Sequence, residues 1–137
     1  RGSLTIHETF SIGRGCRIDI GPNAKCDWGS GYINVFTRVI IMHGLKIGRG
    51  VVISWDCEFL DDDLHSIYYE GKSQKENAIE IGDHVWIGSR VTILKGVRIG
   101  NNNVIASNSV VTTSFLDEGV IIGGNPARIL RSNISWK

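Results

Sequence analysis

From Ile81 to Thr113 an aliphatic residue returns at every sixth position: Ile81, Ile87, Ile93, Ile99, Ile105 and Val111. A small residue usually follows it (Gly82, Gly88, Gly100, Ala106), and Leu94 is the exception. Four places after each aliphatic stands a Val or a small or polar residue: Val85, Val91, Val97, Asn103, Ser109. A period of six fits neither an amphipathic helix nor an alternating strand. It is the signature of a parallel β-helix, in which each short strand stacks on its equivalent in the next coil. Three such strands close one triangular coil, and each coil adds the inter-strand spacing of ~4.8 Å. The repeat aliphatics are predicted to point inward as three ladders. Val52, Trp86, Val104 and Val110 are predicted to point outward.

Elsewhere the pattern is looser. Ile6, Ile12 and Ile18 keep the step of six, and the phase then slips by two to Ile20-Gly21. Residues 26–31 are turn-rich, residues 32–41 form the most β-prone run, and the repeat resumes through Ile47, Ile53 and Phe59. Between about 60 and 78 it vanishes into a polar, charged stretch with no helix signal. A loop of this length in a compact domain is functional or disordered. Because the repeat returns at Ile79, the loop reads as an insertion in one continuing solenoid. The Gly123–Pro126 stretch is a strong turn signal, and residues 127–131 are predicted to form a short helix or a last strand.

The 137 residues suffice for one domain with its own core, expected to span 1–137 with a truncated N-terminus, since no initiator Met is present. Ile and Val dominate the aliphatics, as strands favour, and 17 Gly against 2 Pro suit a fold with many tight corners. A net charge of +1 gives no sign of a nucleic-acid or anionic-membrane partner, and no apolar run is long enough for membrane insertion. Cys16, Cys26 and Cys57 lack metal-ligand spacing. Their odd number, in a sequence with no leader-like opening, predicts reduced thiols and a cytoplasmic protein.

The run of IGxxxx units, the His-bearing loop, the WIG at Trp86–Gly88 and the closing GGNPA resemble the hexapeptide-repeat acyltransferases. The resemblance covers nearly the whole chain. It is closest to the branch of galactoside, maltose and capsular-polysaccharide O-acetyltransferases and xenobiotic acetyltransferases. It implies an all-β, left-handed parallel β-helix; packing alone does not give the hand, because parallel crossovers are right-handed in about 98% of cases. It also implies acetyl-CoA as co-substrate, no metal, and a homotrimer with active sites between subunits. The related zinc trimers need three patterned His, a pattern that His7, His43, His65 and His84 do not make.

Residue by residue, the resemblance implies that His65 is the general base that deprotonates the acceptor, a role an imidazole fills without a pKa shift. Asn34 would hold the acceptor hydroxyl or the oxyanion. The outward Trp86 would lie by the active site at the subunit boundary. Ser89, Ser107, Thr112 and Thr113 would line the CoA site, with Arg128 and Arg131 on its phosphates. Tyr68 and Tyr69 would stack on a sugar or cover a neighbouring subunit. Of Asp61, Asp62 and Asp63, at least two are expected to be solvated loop carboxylates, with Asp63 placed among the acceptor contacts. The function expected is O-acetylation of a saccharide hydroxyl, with xenobiotic or amino-sugar N-acetylation, or a non-catalytic trimeric scaffold, as alternatives.

Overall fold

The computed structural model describes residues 1–137 and contains strands but no helix, hence no helix long and apolar enough to cross a membrane. The first coil is β1 (Ser3–Ile6), β2 (Phe10–Ile12) and β3 (Arg17–Ile20); the second is β4 (Lys25–Trp28), β5 (Gly31–Ile33) and β6 (Arg38–Ile41). The third is β7 (Gly44–Ile47), β8 (Val51–Ile53) and β9 (Glu58–Leu60). After the loop come β10 (Ile79–Ile81), β11 (Trp86–Ile87) and β12 (Thr92–Leu94), then β13 (Arg98–Ile99), β14 (Val104–Ile105) and β15 (Val110–Val111). A partial sixth coil bridges Phe115 to Ile99, continues as β16 (Ile121–Gly124), and turns at Asn125-Pro126 into the antiparallel β17 (Ala127–Arg131). Residues 127–131 are thus a strand, one of the two forms expected.

Every third strand shares a face: β1-β4-β7-β10-β13 on the first, β2-β5-β8-β11-β14-β16-β17 on the second, β3-β6-β9-β12-β15 on the third. All neighbours except β16 and β17 are parallel. The fold is the left-handed parallel β-helix of the hexapeptide class. Twenty-five buried apolar side chains fill the prism, among them every repeat aliphatic from Ile81 to Val111.

The corners explain the repeat. Phe36, Asp56, Arg90 and Asn108 hold the same corner in successive coils, with φ of 62°, 53°, 55° and 63°. A left-handed residue with a Cβ is strained by ~1–2 kcal/mol. Each donates its N–H to a carbonyl one coil below: Arg14, Val35, Trp55 and Ser89 in turn. The small residue after each aliphatic has a steric cause. A Cβ on Gly88 would stand 2.8 Å from the backbone nitrogen of Ser107, closer than real Cβ contacts allow.

The two ends of the prism differ. At the C-terminal end, buried Asn103 donates to the carbonyls of Gly100 and Asp117 and accepts from the N–H of Val120. At the N-terminal end Leu4, Ile6 and Ile12 of the first coil are 36%, 39% and 42% exposed.

Candidate active site

The third coil lacks its closing corner. In its place the chain leaves after Leu60 and returns at Ile79, at the edge where the third and first faces meet. The root of this loop is built from the acidic run. Asp61 is fully buried rather than solvated, and its carboxylate accepts the N–H groups of Met42, His43 and Gly44 at 2.7, 2.8 and 2.8 Å. Three unpaired backbone donors at the corner of the coil below explain the difference, because a buried charge needs such partners.

Asp62 accepts the N–H of Leu64 at 2.6 Å and lies 2.7 Å from His43 Nε2. These contacts, His43 first, hold its carboxyl below the usual carboxylate range. The Asp62–Leu64 turn carries Leu64 at φ 61° and presents the next residue, His65, to solvent. Asp63 pairs with Lys95 of the fourth coil. All three carboxylates therefore have partners other than His65, and the His65 imidazole has no hydrogen-bond partner in the chain.

A cleft of about 550 Å³ lies beneath the loop, and Asp63, His65, Tyr68, Tyr69, Lys95 and Thr112 are on its wall. Six of the side chains singled out in the sequence (Asp62, Asp63, His65, Tyr68, Tyr69, Thr112) therefore meet in one place. Thr113 follows Thr112 at the same edge and is exposed.

The remaining candidates lie elsewhere. Asn34 sits at the edge between the second and third faces, where its Nδ2 donates to Ile53 O at 3.3 Å. Ser89 and Ser107 stack on that same edge, and the Ser107 hydroxyl accepts the Ser89 N–H at 3.0 Å. Trp86 points outward from the second face, 42% exposed, with Nε1 donating to Ser54 Oγ at 3.4 Å. Strand register places it in one outward row with Tyr32, Val52, Val104 and Ile121. The tail returns to this face: Trp136 stacks on His84 at 3.9 Å and lies 6.0 Å from Trp86. Arg128 and Arg131 are exposed on β17.

In a triangular prism the loop edge is the vertex opposite the second face. The His65 cleft and the Trp86 row thus occupy opposite sides of one chain. Sequence reasoning missed His43, Lys95 and the burial of Asp61. Stacking the corners by strand register would have placed residues 42–44 directly below the loop root.

A triangular solenoid of hexapeptide coils, with one His-bearing loop thrown out at a corner, defines the class of protein. Residues 78–113 match the family described as bacterial transferase hexapeptide (six repeats). The chain is 38% identical over its full length to a 24.8 kDa protein of the cps region of Klebsiella pneumoniae, and spans 62% of that relative's length. Its backbone matches the hexapeptide-repeat acetyltransferase VCA0836 of Vibrio cholerae with TM-score 0.73 and 32% identity, covering 92% of this chain and 73% of the other. VCA0836 has also been crystallised with acetyl-CoA. The polysialic acid O-acetyltransferase OatWY superposes with TM-score 0.73 at 28% identity, covering 99% and 77%. The chain belongs to the hexapeptide-repeat acetyltransferases.

Proposed function

We propose that the protein transfers acetyl from acetyl-CoA directly to a saccharide hydroxyl, in the cytoplasm and in the service of surface-polysaccharide synthesis. The observation that carries this reading is His65: an exposed imidazole without an internal partner, at the mouth of a cleft lined by tyrosines and polar side chains. His65 takes the proton as the acceptor oxygen bonds to the acetyl carbon. A tetrahedral intermediate then collapses, the carbon–sulfur bond breaks, and CoA leaves as the thiol, carrying the proton His65 received. General-base assistance of this kind is worth ~10²–10⁴ in rate. The acetyl-CoA complex of VCA0836 supports the donor, and OatWY, named for a sugar polymer, supports the acceptor class.

The opposed positions of the cleft and the Trp86 row support a homotrimer with active sites between subunits. A neighbouring copy would lay its second face, with Trp86, against the loop edge and cover Tyr32 and Val52 as it does so. Ser89, Ser107, Thr112 and Thr113 would then border a shared CoA channel, with Arg128 and Arg131 on the phosphates, and Asn34 would hold the acceptor hydroxyl or the oxyanion. Thiol release from acetyl-CoA against a panel of saccharides, amines and drugs tests the activity. Turnover confined to saccharides is expected, and turnover confined to amines would overturn the acceptor. Light scattering should give three chains, and the mass of one chain would overturn the shared site.

A further inference from the structure

The loop occupies the place of the third coil's corner, so the corners of the second and fourth coils lie directly below and above it. Each holds one part of the root. From below, Asp61 and Asp62 are bonded to residues 42–44. From above, Gly96 N–H donates to Asn77 O at 2.7 Å, and Lys95 pairs with Asp63. One side-chain atom touches both ends of the loop. His43 Nε2 is 2.7 Å from Asp62 Oδ2 at the start of the loop and 3.1 Å from the Asn77 amide at its end. With the proton on Nε2, His43 donates to the Asp62 carboxylate, and the Asn77 side-chain amide packs against the same nitrogen through Nδ2. Between these ends only one backbone hydrogen bond, Lys72 N–H to Tyr69 O, orders the loop internally. Its geometry therefore depends on its root.

We propose that His43 is a positioning residue, a clasp that closes the two ends of the 61–78 loop and thereby fixes His65 over the cleft. The proposal rests on the reading of His65 as the general base. Misplacing a reacting group by about 1 Å costs on the order of 10²-fold in rate. His43→Ala is therefore expected to lower kcat by about ten- to a hundredfold, measured with the best acceptor of the panel, with the KM for acetyl-CoA unchanged within about twofold. His43→Gln, which keeps a distal donor, should recover part of the loss. Asp62→Asn added to His43→Ala should lower kcat no further, because the two act as one pair.

A second readout needs no acceptor. Trypsin should cut at Lys72 and Lys75 several-fold faster in His43→Ala, while Tm shifts by no more than about 2 °C. Unchanged cleavage would overturn the clasp. Faster cleavage with unchanged kcat would overturn its part in catalysis. Full activity in His65→Ala would overturn the base and leave the cleavage result standing by itself.

Discussion

The two halves of the solenoid obey different periods. Between the fourth and fifth coils the register is uniform: Ile81 pairs with Ile99, Ile87 with Ile105, Ile93 with Val111, always a step of 18, and only the partial sixth coil departs, by one, at Ile105 and Ile122. Below the loop Ile6 pairs with Trp28, Ile12 with Ile33, Ile18 with Val39, Trp28 with Ile47 and Ile33 with Ile53, so the step runs from 19 to 22. The extra residues sit at corners such as Pro22-Asn23 and Met42-His43, between consecutive strands. Longer corners let the chain depart from one aliphatic per face, and the lower prism takes the large Trp28 and the thiol of Cys26 into its interior. They also place backbone donors and an imidazole under the loop. The regular half supplies a rigid wall, and the irregular half supplies the parts that hold the loop.

The contrast can be tested, starting with the largest expected effect. Ile87→Ala empties a fully buried site in the regular half and should cost about 2–5 kcal/mol in urea unfolding. Ile12→Ala removes a side chain already 42% exposed and should cost under about 1 kcal/mol. Equal costs would contradict the difference in burial between the two side chains. Asp61→Asn keeps the shape but turns an amide donor toward at least one of the three backbone N–H groups that the carboxylate accepts. It should cost about 2–3 kcal/mol and speed tryptic cutting of the loop.

Alkali should act on the lower half. Burial pushes the Cys26 thiol up to about 11, whereas in the unfolded chain it ionises near its ordinary ~8.5. Between these values the unfolded state sheds a proton that the folded state keeps, so stability should fall as pH rises through that window. Cys26→Ala should flatten the decline. The smallest effect is chemical: native protein at neutral pH should label Cys16 ahead of Cys26 and Cys57, which are buried, and unfolded protein should label all three.

What could be read in the sequence follows the same division. The inward ladder from Ile81 to Val111 was legible because its members recur at one step of six, most of them with a small residue following and a left-handed corner between strands. The outward place of Trp86 followed from the same count. The loop was legible as a break in period, and in the fold it separates β9, which ends at Leu60, from β10, which begins at Ile79. The exposure of Ile6 and Ile12 was not, since they keep the same step of six as the buried aliphatics. Nor was the role of Asp61. Its partners are backbone groups 17 to 19 positions away, brought near only by coil stacking, and a run of three aspartates read alone looks solvated. His43 was missed for the same reason.

The central claim is that His65 is the base of an acetyl transfer. It is tested most directly by steady-state thiol release with His65→Ala and wild type, at saturating acetyl-CoA and the best acceptor. The expected result is a kcat lower by about 10²–10⁴-fold with the KM for acetyl-CoA nearly unchanged. A variant that turns over at the wild-type rate would contradict the claim.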